Sequence, residues 1–105
     1  VTAAVARTRA SGFDGPLIVE VETREELDEA LACGVRHILL DNFSTAELPE
    51  LVARVAGRAR LEVSGGVGPA DLAQIAAAGV DFISCGALTK HVQAVDLSMR
   101  IRRVD

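Results

Sequence analysis

Short aliphatic runs alternate along the chain with longer segments of helix-forming residues. The runs, which we predict to be strands, cover residues 17–22, 37–41, 61–64 and 81–86. The segments that we predict to be helices cover residues 3–11, 25–33, 46–56 and 70–78. Short apolar runs bounded by helices are typical of buried parallel strands. The pattern therefore predicts one helix followed by repeated βα units.

Glycine recurs at nearly constant spacing, at Gly12, Gly34, Gly57 and Gly79, with intervals of 22, 23 and 22 residues. Each of these glycines comes directly after a predicted helix. Glycine is favoured there because it adopts the left-handed conformation at little steric cost. The spacing therefore predicts repeated units of nearly equal length.

Three sequence signals mark where helices begin. Thr23 with Glu26, and Ser44 with Glu47, have the spacing of capping boxes. Pro69 follows a glycine and is expected at a first helical position, where its missing N–H is not needed.

Two architectures fit the alternation: a small open doubly wound sheet, and half of a (β/α)₈ barrel. The near-identical unit length favours repeated βα units in a partial (half) TIM-like α/β barrel with parallel strands. A complete barrel needs roughly 200 residues or more, and the chain has 105. An isolated half would have two open sheet edges. Because the first residue is also Val rather than Met, we expect a piece of a longer chain or a chain completed by a partner.

Composition and charge exclude several classes of function. The chain is 50% hydrophobic but only 3% aromatic, which predicts one domain with an aliphatic core. Its net charge of -4 argues against nucleic-acid binding, which needs a basic surface. Neither a bilayer-spanning apolar run nor a signal-peptide pattern is present, so no membrane partner is expected. Cys33 and Cys85 match no metal or redox spacing, which predicts reduced thiols in a cytoplasmic protein.

Carboxylates stand at or near the predicted strand ends, where parallel α/β folds bind ligands. Glu20, Asp41 and Glu62 are 21 residues apart and are expected to meet near one rim or lumen. Such a cluster suits a divalent cation such as magnesium, or sugar hydroxyls. Glu22 is interpreted as a solvated strand end. Asp41 ends a fully apolar run, which favours a functional role.

Two glycine-containing loops form the most specific local feature. Residues 63–69 contain the pair Gly65 and Gly66, and the next predicted strand ends at Gly86. Consecutive glycines let the backbone approach an anion, and a following helix N-terminus favours negative charge. We therefore predict a phosphate site on these loops. The alternative is two tight turns without a ligand.

The basic and histidine residues are less informative. Lys90 follows the last predicted strand, as either an anion contact or a surface residue, and His91 is a candidate general acid or base. His37 begins a strand and is interpreted as structural. The C-terminal arginines are interpreted as a solvated or interface segment, and they are Arg100, Arg102 and Arg103.

Several of these motifs, in this order, resemble the C-terminal part of the quinolinate phosphoribosyltransferase family. The matching runs are residues 19–22 (VEVE), 38–43 (ILLDNF), 62–66 (EVSGG), 86–89 (GALT) and 97–98 (LS). The combination is specific, whereas any single run is not. A third reading, another phosphate-binding barrel such as a phosphosugar isomerase or lyase, does not account for the full ordered set.

The resemblance implies an enzyme that converts quinolinate and phosphoribosyl pyrophosphate to nicotinate mononucleotide, pyrophosphate and CO₂ in NAD biosynthesis. It implies magnesium as cofactor and a homodimer or larger assembly. Residues 1–105 would form one C-terminal barrel portion, with the N-terminal domain and first barrel strands absent. By motif match, Glu20 and Asp41 face the ribose and magnesium. The residues matched to the 5′-phosphate loops are Ser64, Gly65, Gly66, Cys85, Gly86 and Ala87.

The family binds its anionic substrates with arginines and lysines that lie upstream of the matched segment. This chain contains a single lysine, Lys90, and a domain of net negative charge is a poor receptor for two anions. We therefore expect the chain alone to be inactive. The alternative function is a non-catalytic remnant that folds, associates or binds phosphate only.

Overall fold

A computed structural model describes residues 1–90 and 93–104, and that part of the chain contains five helices and four strands. In chain order they are α1 Thr2–Ala10, β1 Ile18–Val21, α2 Arg24–Ala32, β2 His37–Asp41, α3 Leu48–Val55, β3 Arg60–Ser64, α4 Leu72–Ala77, β4 Phe82–Ile83 and α5 Ala87–Lys90. Each predicted helix and strand is present, although β1, α3, α4 and β4 are shorter than predicted.

The four strands form one parallel sheet in the order β1-β2-β3-β4. Each strand pairs with the next strand of the chain, as repeated βα units require. The register aligns Glu20 with Leu39, Leu39 with Glu62, and Asp41 with Ser64. The polar ends of β2 and β3 are thereby placed side by side.

Successive strand residues point to opposite faces of the sheet, and the two faces differ in composition. One face packs against the helices and forms an aliphatic core. Its fully buried members include Val21, Leu27, Ile38, Leu40, Leu48, Leu51 and Ile75. The opposite face, which we call the open face, carries no buried side chain. Its residues are Ile18, Glu20, His37, Leu39, Asp41, Arg60, Glu62, Ser64 and Phe82.

The glycine repeat marks the ends of four helices, as predicted. Gly12, Gly34, Gly57 and Gly79 have φ angles of +79°, +69°, +73° and +90°. These are left-handed conformations that glycine adopts without the Cβ penalty. The repeat therefore reflects the left-handed turn that leads from each helix toward the next strand.

The first capping box forms in a modified way. The Glu26 N–H donates to Thr23 Oγ1 at 3.2 Å, as in a capping box. The Glu26 carboxylate, however, accepts from the N–H of Glu22 at 2.7 Å rather than from that of Thr23. At the second box, Glu47 accepts from the Ser44 N–H at 3.0 Å, but α3 begins only at Leu48.

The predicted helix start at Pro69 is wrong. Pro69 lies in a turn, and α4 begins at Leu72 and is six residues long. The Asp71 carboxylate accepts a hydrogen bond from the Gly68 N–H at 3.1 Å. A carboxylate that accepts from the N–H three residues before it forms one half of a capping box, so this bond closes the turn that leads into α4.

No helix in the described part of the chain is both long and apolar enough to cross a bilayer. The tail, residues 93–104, has neither helix nor strand and is exposed throughout.

Candidate functional site

Three carboxylates meet at the carboxyl end of β1 and β2. Ligand oxygens of Glu20, Glu22 and Asp41 all lie within 4.8 Å of one another. We call these residues the acidic cluster. Glu20 and Glu22 are exposed, and Asp41 is half-buried. The structure thus brings together Glu20 and Asp41, which the sequence singled out, and adds Glu22, which was interpreted as a solvated strand end.

Asp41 is the most firmly placed member of the acidic cluster. The Ser64 hydroxyl donates to its Oδ1 at 3.4 Å. Asn42, the next residue, has a left-handed backbone with φ +61°, which Asn tolerates better than most residues. The chain therefore turns immediately after Asp41, at the sheet edge beside the glycine loops.

Glu62 does not join the acidic cluster, contrary to the expectation from equal spacing. Its carboxylate accepts from the Ser84 hydroxyl and lies 2.9 Å from His37 Nε2. The His37 ring also stacks on Phe82, with the ring centroids 5.4 Å apart. The structural role predicted for His37 is thus supported, because the ring is held between a carboxylate and an aromatic side chain.

The pKa of Glu62 lies below its usual range, first because of the Ser84 hydroxyl and then because of His37. A carboxyl with a depressed pKa stabilises the fold above its unfolded pKa, and this contribution is lost as pH falls through the folded pKa.

We expect Ser84→Ala to raise the pKa of Glu62 toward the ordinary value of about 4.3. The variant should also lose stability at neutral pH, because the ionised carboxylate no longer has its main donor. A carboxyl-carbon NMR titration of Glu62 measures the pKa, and Ser84→Thr, which keeps a hydroxyl, is the control. An unchanged titration in Ser84→Ala would contradict the proposed donor.

A cavity of about 850 Å³ lies between the loops after β3 and β4. Its wall contains all six residues matched to phosphate binding: Ser64, Gly65, Gly66, Cys85, Gly86 and Ala87. We call it the glycine-loop cavity. Two loops that are distant in sequence thus form one concave site. This placement supports the phosphate prediction, and phosphate binding itself stays a prediction.

Gly65 and Gly66 have φ angles of +83° and +63°. At Gly65 an added Cβ would overlap Asp41 Oδ1, whereas at Gly66 it would meet nothing within 4 Å. No backbone hydrogen bond of the described residues uses the N–H of either glycine. Both amides are therefore available to an anion, and Gly65 also lets the loop approach Asp41 closely.

The Cys85 thiol donates to the Val67 carbonyl at 3.1 Å. This bond connects the two loops of the glycine-loop cavity. Both cysteines are free thiols, as predicted. Because its side chain is engaged with the other loop, Cys85 offers its backbone, rather than its sulfur, to a ligand in the cavity.

The helix contribution to this site differs from the prediction. Asp71 occupies the Gly68 N–H, so the turn before α4 has one amide fewer for an anion. Lys90 lines the cavity, and its Cε would lie 3.8 Å from a Cβ added at Gly86. It is therefore placed to contact an anion. His91, the candidate acid or base, lies outside the described residues.

The family model for the C-terminal domain of quinolinate phosphoribosyl transferase matches residues 1–100. The chain belongs to this family. A probable nicotinate-nucleotide pyrophosphorylase (carboxylating) from Synechocystis is 42% identical over 98% of the chain. The corresponding enzyme from Mycobacterium leprae is 38% identical over 94% of the chain.

The family fold is confirmed by a solved structure of nicotinate-nucleotide pyrophosphorylase from Francisella tularensis. It superposes on 93% of the chain with a TM-score of 0.84 and 39% identity. The chain covers 36% of that structure and 36% of each of the two relatives. It therefore spans about a third of the length of these family members, and the prediction of a partial barrel is confirmed.

Sequence reasoning missed two features of the site. The register that places Glu22 beside Asp41 extends the pairing of Val21 with Leu40, and spacing alone does not give it. The partnership of Ser84 with Glu62 was also missed, since Ser84 carries no motif. Its position two residues after Phe82, on the open face, is the one signal that could have indicated it.

Proposed function

We propose that the chain is the C-terminal barrel portion of an enzyme that joins quinolinate to phosphoribosyl pyrophosphate. The products are nicotinate mononucleotide, pyrophosphate and CO₂, and the mononucleotide feeds NAD biosynthesis. An N-terminal domain and the first barrel strands would come from other parts of the longer protein. The shared family, and relatives named nicotinate-nucleotide pyrophosphorylase (carboxylating), support this proposal.

One observation carries the proposal: the glycine-loop cavity adjoins the acidic cluster through the contact of Ser64 with Asp41. A phosphorylated ribose has the matching polarity, with an anionic phosphate at one end and hydroxyls along the ring. The free amides of Gly65 and Gly66 suit the 5′-phosphate. Carboxylates accept hydrogen bonds from hydroxyls, so Glu20 and Asp41 suit the ribose.

Magnesium fits the acidic cluster, because hard divalent cations bind carboxylate oxygens together with substrate phosphates. Glu20 and Asp41 would hold the ion, with Glu22 within reach. When bound, it would offset the charge of the pyrophosphate group and orient it.

The described wall of the glycine-loop cavity offers one cationic side chain, Lys90. Quinolinate and pyrophosphate together bring several negative charges, which need more cations than this wall supplies. We propose that the remaining cations come from the longer protein, in a homodimer or larger homo-oligomer. We place the enzyme in the cytoplasm, where the free thiols Cys33 and Cys85 stay reduced.

The 105-residue chain alone is expected to form no measurable nicotinate mononucleotide. A chimaera that joins it to the remaining two thirds of the Synechocystis relative should form it readily, because the missing cations are then present. Chromatographic detection of the product in both proteins measures this difference. Robust turnover by the 105 residues alone would contradict the proposal that the remaining cations of the site come from the longer protein.

A second candidate is a non-catalytic remnant that binds phosphate only, which the net charge of -4 and the single lysine favour. This alternative predicts that the chimaera folds and binds inorganic phosphate but forms no nicotinate mononucleotide from quinolinate and phosphoribosyl pyrophosphate.

A further inference from the structure

Three side chains on the open face are joined by hydrogen bonds that end in the wall of the glycine-loop cavity. Glu62 lies on β3, the strand between β2 and β4. Its Oε2 lies 2.9 Å from His37 Nε2, and its Oε1 accepts from the Ser84 hydroxyl. Ser84 also lines the cavity. None of these three side chains has a role in the proposed binding of phosphate, ribose or magnesium.

The direction of each hydrogen bond follows from the charge of Glu62. The pKa of its carboxyl lies below the usual range, so the group is ionised at neutral pH. An ionised carboxylate only accepts hydrogen bonds. His37 therefore donates from Nε2, and Ser84 donates its single hydroxyl proton. Each oxygen of Glu62 has one of these donors.

Ring packing holds the His37 end of this arrangement in place. The His37 ring stacks on Phe82 with an interplanar angle of 22°, and the guanidinium carbon of Arg60 lies 5.9 Å from the centroid of the Phe82 ring. Both strands beside β3 belong to this chain. The contacts that fix Glu62 are therefore made within the chain and do not depend on strands from the longer protein.

We propose that Ser84 determines specificity, because its hydroxyl oxygen accepts a hydrogen bond from a sugar hydroxyl of the ligand in the glycine-loop cavity. Glu62 is the positioning residue for this contact. The inference rests on the proposed function, which puts a phosphorylated ribose in this cavity.

The polarity of the cavity wall supports this assignment. With its proton donated to Glu62, Ser84 presents only lone pairs to the cavity. A phosphate oxygen, itself an acceptor, gains no hydrogen bond there, whereas a sugar hydroxyl can donate one. The free amides of Gly65 and Gly66 instead suit the phosphate. The wall thus favours one orientation of a sugar phosphate, with its anionic end on the glycines and a hydroxyl on Ser84.

Two ligands that differ only in their hydroxyls test the proposal on the 105-residue chain. Tetrahydrofurfuryl phosphate has the ring and phosphate of ribose 5-phosphate but none of the ring hydroxyls. NMR titration of the Gly65 and Gly66 amides gives a dissociation constant for each ligand. We expect Ser84→Ala to weaken ribose 5-phosphate binding about fivefold, the size of one neutral hydrogen bond. It should leave tetrahydrofurfuryl phosphate within about twofold, and Ser84→Thr, which keeps the hydroxyl, should retain the original ratio.

Glu62→Met tests the positioning role, because it removes the acceptor and keeps a side chain of similar length. The lost charge affects both phosphates alike, so the ratio of the two dissociation constants isolates the hydroxyl contact. We expect the preference for ribose 5-phosphate to fall about threefold. The double variant with Ser84→Ala should lose no more of this preference than Ser84→Ala alone, since both changes act on one contact.

An unchanged ratio in Ser84→Ala, including equal weakening of both ligands, would overturn the proposal. Additive losses in the double variant would overturn the positioning role of Glu62. If neither ligand bound, both the inference and the phosphate site would be wrong. Product formation by the chimaera is measured separately, so a failure of this inference is distinguishable from a failure of the proposed function.

Discussion

Asp41→Asn and Glu20→Gln, introduced separately into the chimaera with the Synechocystis relative, are expected to lower turnover roughly a hundredfold each. Both carboxylates are proposed to hold magnesium and to accept hydrogen bonds from ribose hydroxyls. An amide keeps the shape but loses the charge, so the ion and the sugar are no longer aligned for reaction. Asp41 should be especially sensitive, because the Ser64 hydroxyl and the close approach of Gly65 fix its position.

Glu22→Gln is the matched control for these variants. Glu22 belongs to the same acidic cluster, but the family resemblance does not match it to the ribose or the metal. We therefore expect a much smaller loss of turnover. Steady-state rates at saturating magnesium compare the three. Equal losses of turnover in all three variants would show that the three carboxylates contribute only their summed charge. The specific assignment of Glu20 and Asp41 to magnesium and the ribose would then be wrong.

Gly66→Ala in the same chimaera is expected to weaken phosphoribosyl pyrophosphate binding by roughly tenfold or more. A hydrogen bond to a charged group contributes about 1.5–3 kcal/mol, and each tenfold change in affinity corresponds to about 1.4 kcal/mol. Gly66 has φ +63° and open space at its Cβ position. The new methyl group therefore acts on the loop conformation or on the anion rather than by clashing with the protein.

Calorimetric titration of each substrate separately measures this effect. Quinolinate binding should change far less, because its carboxylates are expected to meet cations from the longer protein. Gly12→Ala is the control, since Gly12 also has a positive φ and open space but lies outside the glycine-loop cavity. An equal loss of quinolinate affinity, with the fold intact by circular dichroism, would contradict the phosphate site.

The architecture was predictable because helix ends, helix lengths and strand composition all repeat. The four periodic glycines all have positive φ, and the steric cost of this conformation for other residues explains why the sequence shows them so clearly. The start of α4 was not predictable in the same way. A proline favours a first helical turn, but residues 69–71 form a turn and the helix begins only at Leu72.

The sequence was sufficient to predict which residues lie at the strand ends. It was less informative about which of those residues are neighbours on adjacent strands. Equal spacing groups Glu20, Asp41 and Glu62, but the register places Glu20, Leu39 and Glu62 in one row and aligns Asp41 with Ser64, two residues further along the strands. Glu62 is therefore separated from Glu20 by strand β2, and its carboxylate contacts His37 instead. The register is set by core packing and loop lengths together, and neither can be read from the distance between two acidic residues.

The division of each strand between a packed face and the open face has a consequence for how such a chain diverges. Ile38 and Leu40 determine whether the protein folds, whereas Leu39 and Asp41, in the same strand, meet only what occupies the open face. In a complete barrel the open face is turned to the interior, which side chains from several strands fill in layers. Substitutions at Leu39 would therefore be limited by strands outside this segment, whereas those at Ile38 and Leu40 are limited by the helices within it, so the two faces of one strand would diverge under different constraints.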